Sequence, residues 1–482
     1  MTIDYPDLYI GGSWMSPASA DRLPVISPST EEIIGEVPLG SADDVDRAVA
    51  AARSAFDDSS GWAAWTAAQR GEVLTRFADE LLARAGDTAQ RVSSQNGMPV
   101  AFAREIEGGF PQMLVRLNAD LAAAQEDELR PSPMGGSNLV TRQPIGVVAA
   151  IVPWNFPQAI TFMKLAPALA AGCSVVLKPA PQTVLDAFGM AEAAIAAGLP
   201  DGVLNIVTGG REVGEYLVGH PGIDKVSFTG STGAGKAIGR TCGELLRPVS
   251  LELGGKSAAV ILDDADLVAN AQAFFGVTLI NNGQVCWLNT RILAPRSRYD
   301  EVVDFVAALA GSVVLGDPLA EDTMMGPLVS AAQRDRVEGY IQKGISDGAR
   351  LVTGGGRPSG FDRGFFVEPT VFTDVDPDST IAQEEIFGPV LSVIPYTDDA
   401  EALAIADNSD YGLGGTVWTA DPDRGTAFAR KITTGTVGIN GYVPDPTVPF
   451  GGVKASGLGR SMGVEGLQAF QQLKTIYLDK NA

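Results

Sequence analysis

The 482-residue sequence predicts an α/β protein built around a largely parallel sheet. From residue 145 onward, short apolar runs alternate with helical stretches rich in alanine and glycine. Continuous apolar strands with intervening helices are typical of a parallel sheet that helices cover on both faces. The predicted strands are Gly146–Val152, Ser174–Leu177, Val203–Val207, Lys225–Phe228 and Pro248–Leu253. The predicted helices between them are Val184–Ala197, Arg211–Val218 and Ala234–Leu245.

The N-terminal region is predicted to be helical. Ser41 and Asp44 have the spacing of a capping box, in which each side chain binds the backbone of the other residue. The first helix then carries apolar residues at helical spacing, namely Val45, Val49, Ala52 and Phe56. A second helix is predicted with one apolar face made of Leu74, Phe77, Leu81 and Leu82. A chain of this length also predicts at least two domains.

Composition excludes several classes of function. The formal net charge of −23 disfavours binding to nucleic acid and to anionic membranes. No apolar run approaches the roughly 20 residues that span a bilayer. The N-terminus shows no signal-peptide pattern, so a cytoplasmic location is expected. The three cysteines (Cys173, Cys242 and Cys286) are odd in number and widely spaced, which indicates free thiols rather than disulfides or a metal cluster.

The sequence contains one histidine, His220. A Ser-His-Asp or Cys-His mechanism would have to use this residue. It stands just before Pro221 in a loop that leads into a predicted strand. We therefore interpret His220 as structural.

A glycine-rich turn, Gly230–Lys236, follows the predicted strand that ends at Phe228. It matches the glycine and lysine positions of a P-loop, but Ala237 replaces the hydroxyl residue that would bind Mg²⁺. A strand that enters such a turn and then a helix can still bind a pyrophosphate through free N–H groups. The alternative is a plain tight turn.

Two residues are candidates for covalent chemistry. Cys286 follows Asn281, Asn282, Gly283 and Gln284, a polar and flexible setting. Free cysteines are usually buried packing residues, which is how we interpret Cys173 and Cys242. A nucleophilic cysteine needs a lowered pKa from a helix N-terminus or a cation, and we expect one near Cys286.

Glu252 ends an apolar strand and precedes two glycines. Desolvation there would raise its pKa toward the range of a general base. The alternative is a salt bridge to Lys256 or to another cation.

Two further polar residues follow strands. Asn155 lies between Pro153 and Pro157, where its amide could donate to an oxyanion. Asparagine is also common in ordinary turns. Lys178 stands at the carboxyl end of another strand, where ligands of parallel sheets bind, and could bind a ribose.

Taken together and in this order, these motifs resemble the NAD(P)⁺-dependent aldehyde dehydrogenase superfamily, over nearly the whole chain. Further matching segments are Asn205-Ile-Val-Thr-Gly-Gly, His220-Pro-Gly-Ile-Asp-Lys-Val-Ser-Phe-Thr-Gly-Ser, Glu384-Glu-Ile-Phe-Gly-Pro389 and Pro449-Phe-Gly-Gly-Val-Lys454. The resemblance implies a Rossmann-like cofactor domain, an α/β catalytic domain and a small β extension for assembly into a dimer or tetramer. The implied cofactor domain is 1–121 and 145–254, and 455–470 returns to it. The catalytic domain is 255–454, and the extension is 122–144 and 471–482.

The C-terminal segment also reads as a strand without a nearby hairpin partner. Such a strand is commonly paired with another subunit or with a distant sheet edge.

The resemblance also implies a mechanism. Cys286 attacks the aldehyde, Asn155 and the Cys286 backbone N–H hold the oxygen, and Glu252 activates the water that hydrolyses the thioester. A glutamate at this position favours hydrolysis over transfer to coenzyme A. The implied cofactor contacts are Ile151, Pro153, Trp154, Lys178, Gly210, Gly214, Phe228, Gly230, Ser231, Leu253, Glu385 and Phe387. Of these, Lys178 and Glu385 resemble ribose ligands, and Gly230 and Ser231 are expected near the pyrophosphate.

Three positions depart from the family pattern. Pro181 replaces a glutamate that favours NAD, which leaves the choice between NAD and NADP open, with NAD expected. Ser461 replaces a glutamate, so a second proton relay through that carboxylate is not expected. Trp287 follows the nucleophile, where smaller residues are common, and is expected to narrow the substrate tunnel.

The tunnel is expected to be lined by Phe156, Met163, Ile280, Val285, Trp287, Pro444 and Phe450. This set is apolar and has no charged anchor, which predicts an uncharged aliphatic or aromatic aldehyde. Two other hypotheses are a thiol hydrolase without redox chemistry and a non-catalytic protein. The cofactor motifs argue against the first, and the presence of Cys286, Glu252 and Asn155 argues against the second.

Overall fold

The computed structural model describes residues 2–478. The end of the predicted C-terminal extension, 479–482, lies outside this range. No helix within the described range is long and apolar enough to cross a membrane. The α-helices are α1 Ala42–Asp57, α2 Ala67–Ala83, α3 Ala85–Asn96, α4 Val100–Ala103, α5 Phe110–Ala123, α6 Pro157–Ala171, α7 Leu185–Ala197, α8 Arg211–Gly219, α9 Thr232–Glu244, α10 Ala271–Thr278, α11 Tyr299–Gly311, α12 Ala331–Ser346, α13 Thr380–Gln383, α14 Asp399–Asp407, α15 Pro422–Ala429 and α16 Gly463–Gln468.

The strands form five sheets within the described residues. Their bounds are β1 Ile3–Asp4, β2 Leu8–Ile10, β3 Ser13–Met15, β4 Arg22–Ile26, β5 Ile33–Pro38, β6 Glu128–Pro131, β7 Ser137–Pro144, β8 Val147–Ile151, β9 Ser174–Lys178, β10 Leu204–Ile206, β11 Lys225–Thr229, β12 Val249–Glu252, β13 Ala258–Ile261, β14 Arg291–Pro295, β15 Arg350–Thr353, β16 Thr370–Thr373, β17 Val390–Tyr396, β18 Tyr411–Gly412, β19 Gly415–Trp418, β20 Gly438–Ile439, β21 Val453–Lys454, β22 Gly457–Leu458 and β23 Gln471–Tyr477. Every strand and helix that the sequence predicts after residue 145 is present, with ends that differ by a few residues.

The largest sheet has eight strands in the order β22-β12-β11-β8-β9-β10-β2-β3, and its five central strands are parallel. The chain runs outward from β8 to β9 and β10, and then returns to place β11 and β12 on the other side of β8. The strand order therefore reverses between β8 and β11. Ligands of such sheets bind at this reversal, outside the carboxyl ends of the strands.

A second sheet of seven strands follows in the order β15-β16-β17-β14-β13-β19-β20. All of its pairs are parallel except β15 with β16. Its strand β13 begins shortly after Glu252, the last residue of β12. The two sheets are thus joined through the segment that carries a candidate catalytic carboxylate. Further on, β22 returns to the first sheet and pairs with β12.

The C-terminal strand β23 finds its partner in a distant part of the chain, one of the two arrangements expected from the sequence. It pairs antiparallel with β7 over its whole length, from Gln471 opposite Pro144 to Tyr477 opposite Asn138. The strand β6 completes this three-stranded sheet. The remaining small sheets are β1-β5-β4 and β18-β21.

The N-terminal helices follow the predicted pattern with one exception. The capping box of Ser41 and Asp44 is formed, and Val45, Val49 and Ala52 are buried in α1. The prediction for Leu82 is wrong, because its side chain is 51% exposed. The helix α2 buries the face of Val73, Leu74, Phe77, Ala78 and Leu81. A residue directly after Leu81 is rotated by about 100° and leaves that face.

Candidate active site

The turn Asn281–Gly283, which precedes the candidate nucleophile, is held by its own side chains. The Asn282 amide nitrogen donates to the carbonyl oxygens of Gly97 (2.9 Å) and Pro327 (2.8 Å). Its oxygen accepts from the backbone N–H of Gly326 at 2.7 Å. Asn282 has a φ of 60°, a left-handed conformation that asparagine tolerates better than most residues. The polar residues before the cysteine therefore fix the backbone rather than make it flexible.

Asn155 lies directly beside this turn. Its side chain nitrogen donates to the carbonyl oxygen of Gln284 at 2.9 Å, and the residue is 3% exposed. Its own carbonyl oxygen accepts from the side chains of Asn281 (2.9 Å) and Asn96 (3.3 Å). An amide has two N–H groups, so one remains to donate to a ligand next to Cys286.

Glu252 is buried at the end of β12, with 5% exposure. Burial raises the pKa of its carboxyl group, and Lys164 and Arg460 oppose the shift. One carboxyl oxygen, Oε2, has no hydrogen-bond partner among the described residues. The alternative of a salt bridge to Lys256 is not borne out, since the described residues include no ion pair of Glu252 within 4 Å. Glu252 is therefore a desolvated carboxyl with a free oxygen.

Ser461, where the resemblance implies a glutamate, contacts Glu252 directly. Its hydroxyl donates to Oε1 of Glu252 at 3.4 Å. Its backbone N–H and C=O both pair with Phe450 at 2.7 Å. Gly451 borders the same oxygen, because a Cβ there would lie 2.8 Å from Oε1. The loop Phe450–Ser461 thus closes one side of the carboxyl group.

The prediction that the surrounding residues lower the pKa of Cys286 is wrong. Burial raises the pKa of the thiol, and the carboxyl groups of Glu385 and Glu252 raise it further. The backbone N–H groups of Cys286 and Trp287 oppose this shift. Among the described residues no α-helix begins at this turn, and the charged neighbours that shift the thiol pKa are acidic. The thiolate therefore needs a positive charge that these neighbours do not supply.

The other two cysteines and the histidine are placed as structural residues. Cys173 and Cys242 are buried, and burial raises the pKa of Cys173 to about 11. His220 lies 3.2 Å from Asp46 through Nε2, and its Nδ1 accepts the N–H of Gly222 at 3.0 Å. These contacts fix the loop before β11.

The glycine-rich turn leads into α9 at the reversal of strand order. The Ser231 hydroxyl accepts the N–H of Ala234 at 3.3 Å and caps the helix. A Cβ on Gly230 would lie 2.5 Å from the ring of Phe228, so a larger residue does not fit here. Free backbone N–H groups in the first turn of a helix are donors of the kind that bind pyrophosphate, so pyrophosphate binding at this turn stays a prediction.

Lys178 ends β9 in a buried position. Its ammonium nitrogen donates to the carbonyl oxygen of Pro179 at 3.2 Å, and burial lowers its pKa to about 8. Its aliphatic carbons lie 3.5 Å from the position of a Cβ on Gly214. Gly210 is the N-cap of α8, the helix that contains Gly214. The remaining ammonium hydrogens suit a ribose hydroxyl.

Glu385 and Phe387 lie in the loop before β17 of the seven-stranded sheet. They contact residues that follow the parallel strands of the eight-stranded sheet, at the edge that we call the crevice. Glu385 accepts the N–H of Gly255 at 3.1 Å, and burial raises its pKa to about 7. The rings of Phe387 and Trp154 meet edge to face, with centroids 5.3 Å apart. Residues from the eight-stranded sheet and from the seven-stranded sheet therefore both border this crevice.

The other expected cofactor residues lie along the same sheet edge. Ile151 ends β8 and Pro153 follows it. Leu253 follows β12 and packs against Gly235 of α9. The donors, acceptors and glycines at this edge fit a dinucleotide.

Six of the seven expected tunnel residues belong to or pack against one apolar cluster, as does Cys286. These six are Phe156, Met163, Ile280, Val285, Trp287 and Phe450. Pro444 is not part of this cluster.

Sequence reasoning missed Tyr442, whose ring centroid lies 4.9 Å from that of Trp287. Its hydroxyl is 2.8 Å from the Thr436 hydroxyl, which donates to the Leu413 carbonyl oxygen. Tyr442 lies in a loop without periodicity, so no sequence signal marked it.

A second missed group supports the Asn155 loop. Glu107 accepts the N–H groups of Gln158 (2.7 Å) and Ala159 (3.4 Å) at the start of α6. Burial raises the pKa of Glu107 to about 8. The Gln158 side chain donates to Asp186 at 2.5 Å. In the sequence, Glu107 looks like an exposed helical residue, and no local signal indicates its burial.

Residues 14–476 match the Aldehyde dehydrogenase family. The chain is 54% identical to geranial dehydrogenase of Castellaniella defragrans over 479 residues, which cover 99% of this chain and 100% of that protein. It superposes on a Mycobacterium tuberculosis aldehyde dehydrogenase complexed with NAD⁺ with a TM-score of 0.95, at 46% identity and with full coverage of both chains.

A second solved structure is aldehyde dehydrogenase C of Pseudomonas syringae, a mutant complexed with NAD⁺ and octanal. The TM-score is 0.93 at 41% identity, with 98% of this chain and 96% of that chain covered. The chain belongs to the aldehyde dehydrogenase family and is an oxidoreductase that oxidises aldehydes.

The raised pKa of Cys286 is testable by alkylation. In the protein without cofactor, the rate of Cys286 alkylation by iodoacetamide should rise with pH around a midpoint above about 8.5, the pKa of a free thiol. Peptide mass spectrometry measures this rate for Cys286 alone. The Cys286→Ala variant gives the background from the two buried cysteines. A midpoint below that of a free thiol would show that the thiol is activated by the chain itself.

Proposed function

We propose that this enzyme oxidises uncharged, apolar aliphatic or aromatic aldehydes to carboxylic acids with NAD⁺, through a thiohemiacetal and a thioester on Cys286. The observation that carries the proposal is the convergence of three groups. Asn155 binds the turn before Cys286, and the charge of Glu252 affects the Cys286 thiol. All three lie beside the crevice where the strand order reverses.

The chain's residues divide the reaction into two stages. The Cys286 thiolate attacks the carbonyl carbon, and the free Asn155 N–H and the Cys286 backbone N–H stabilise the oxyanion. Loss of hydride then leaves the thioester. Glu252 accepts a proton from water, the resulting hydroxide attacks the thioester carbon, and the acid leaves as the thiolate is released. With His220 held far from this chemistry in its loop, Glu252 is the base that the site offers.

NAD⁺ fits the residues of the crevice. Lys178 and Glu385 would bind the ribose hydroxyls, and Gly230, Ser231 and the α9 N-terminus would bind the pyrophosphate. When bound, NAD⁺ would supply the hydride acceptor and a positive charge, at a site whose own charged groups raise the pKa of the Cys286 thiol. Pro181 offers no cation for a 2′-phosphate, which supports NAD⁺ over NADP⁺.

The substrate proposal depends on the apolar cluster around Cys286. Four of the expected tunnel residues (Phe156, Val285, Trp287 and Phe450) are buried there, and a charged substrate would lose its hydration without gaining a partner. The names of the relatives agree with this chemistry, since geranial and octanal are both uncharged apolar aldehydes. The packed rings of Trp287 and Tyr442 would limit the width of the tunnel.

We further propose that segments 122–144 and 471–482 form an oligomerisation extension, and that the enzyme is a homodimer or homotetramer. The sheet of β6, β7 and β23 exposes several apolar side chains, namely Leu129, Leu473, Ile476 and Tyr477. Clustered exposed apolar side chains mark association surfaces. The eight-stranded sheet with its helices would then be the cofactor domain, and the seven-stranded sheet with its helices would be the catalytic domain.

The nucleophile is tested by Cys286→Ala. Aldehyde-dependent formation of NADH, measured by absorbance, should fall by about a thousandfold or more, because no thiohemiacetal can form. Binding of NAD⁺, measured by calorimetry, should persist. Cys242→Ala is the matched control and should keep its activity. Unchanged turnover in Cys286→Ala contradicts the proposal.

The role of Glu252 is tested by Glu252→Gln. Hydride transfer needs no base at this position, so rapid mixing should show a burst of about one NADH per site, followed by steady turnover about a hundredfold or more below that of the wild type. In the wild type, thioester hydrolysis should accelerate as pH rises through the neutral range, because the carboxyl with its raised pKa must ionise to act. Loss of the burst, or an unaltered pH profile in the variant, would exclude Glu252 as the hydrolytic base.

Butanal and succinic semialdehyde test the substrate class, since both have four carbons and only the second carries a carboxylate. We expect kcat/KM for butanal to exceed that for succinic semialdehyde by about a hundredfold, because the carboxylate would be buried without a cation. Parallel assays with NAD⁺ and NADP⁺ measure both values. Equal values would show that the tunnel contains a charged anchor.

A further inference from the structure

The helix α6 begins directly after the loop that carries Asn155, and its N-terminus has no cap of its own. The first N–H groups of a helix have no partner within the helix and are usually satisfied by an N-cap side chain. Here the N-cap is Phe156, whose side chain offers no acceptor, and the first helical residue is Pro157, which has no N–H. The next two N–H groups, those of Gln158 and Ala159, therefore need an acceptor from elsewhere.

Glu107 supplies that acceptor from a different part of the chain. It lies in the π-helical turn Arg104–Gly109 between α4 and α5, and it is 1% exposed. Its Oε2 accepts the N–H of Gln158 at 2.7 Å and that of Ala159 at 3.4 Å. Its other oxygen, Oε1, has no hydrogen-bond partner among the described residues. The polar contact of Glu107 with α6 hence runs through Oε2.

A second buried carboxyl group binds the same turn of α6. Asp186 of α7 is 2% exposed and accepts a hydrogen bond from the Gln158 side chain at 2.5 Å. It also accepts one from the side chain of Gln95 at 2.7 Å. The residue after Gln95, Asn96, donates to the Asn155 carbonyl oxygen at 3.3 Å. The loop before α6 and the first turn of α6 are therefore both held by buried hydrogen bonds.

We propose that Glu107 is a positioning residue for the reaction: as the acceptor that caps α6, it holds the side-chain amide of Asn155 where the oxyanion forms. The inference rests on the role of Asn155 in the proposed function. Without Oε2, two buried N–H groups at the start of α6 lose their partner, and the helix start shifts to find another. Asn155 lies three residues before Gln158, so such a shift displaces its amide. A displacement of about 1 Å at a reacting centre costs about a hundredfold in rate.

The positioning depends on an acceptor at residue 107 and not on a negative charge. Burial raises the pKa of Glu107 to about 8, so the neutral acid predominates at pH 7. Its carbonyl oxygen still accepts both N–H groups. A glutamine has the same length and offers an amide oxygen in the same place. Glu107→Gln therefore conserves the cap, whereas Glu107→Asp withdraws the acceptor by one methylene group and Glu107→Ala removes it.

A double-mutant cycle with Asn155→Ala separates positioning from a purely structural role. Octanal oxidation at saturating NAD⁺ gives kcat/KM for each variant, and Cys286→Ala sets the background. Asn155→Ala alone should lower kcat/KM by about a hundredfold or more, the usual effect of removing an oxyanion donor. Glu107→Ala should lower it by about tenfold to a hundredfold in the otherwise wild-type enzyme. In the Asn155→Ala background the same change should cost no more than about twofold, because the amide that Glu107 positions is then absent.

Glu107→Gln should stay within about threefold of the wild type, and Glu107→Asp should fall with Glu107→Ala. If Glu107→Ala does not fold, Glu107→Asp takes its place in the cycle. Glu105 is exposed in the same turn and provides the matched control, since Glu105→Gln should keep its activity. Equal fold losses from Glu107→Ala in both backgrounds, or equal losses in Glu107→Gln and Glu107→Ala, would overturn the inference and leave the proposed function standing. Full activity in Asn155→Ala would overturn the oxyanion role of Asn155 and the inference with it.

Discussion

Gly254 and Gly255 allow the end of β12 to touch the elements that carry the rest of the site. A Cβ on Gly255 would lie 2.3 Å from the Cys286 carbonyl oxygen, and one on Gly254 would lie 2.4 Å from Oε2 of Glu385. Cβ atoms do not approach backbone atoms this closely, so a side chain on Gly255 would push the Cys286 turn away from the end of β12, whereas one on Gly254 would displace the Glu385 side chain. This one contact sets Glu252, Cys286 and Glu385 against one another.

Burial determines the electrostatics of the site. Three carboxyl groups with raised pKa values, Glu107, Glu252 and Glu385, lie in the desolvated region around the crevice and the Asn155 loop. Two of them raise the pKa of the Cys286 thiol. A resting thiol that is protonated is protected from unproductive alkylation and oxidation, since the thiolate is the reactive form. In the proposed mechanism, the thiol would be activated by the positive charge that arrives with the oxidised cofactor.

Much of the fold was predictable because buried parallel strands appear in the sequence as short, continuous apolar runs. The apolar runs of β8 to β12 and the Ser41 capping box depend on local sequence, and local sequence sufficed. Leu82 shows the limit, since one residue of helical rotation decides between core and solvent. The candidate site residues came from motifs and a family resemblance. Tyr442 and Glu107 contact residues that are distant in sequence, and the Cys286 pKa depends on Glu385. None of these three features could be derived from local patterns.

The acyl intermediate on Cys286 is the central claim, and mass spectrometry of a single turnover tests it most directly. The enzyme is mixed with octanal and NAD⁺, quenched in acid within the first turnover and digested. The account predicts an octanoyl group on the peptide that contains Cys286, in an amount that matches the NADH formed minus the acid released. NADH formation with no acyl group on Cys286, or with the group on Cys173 or Cys242, would contradict it.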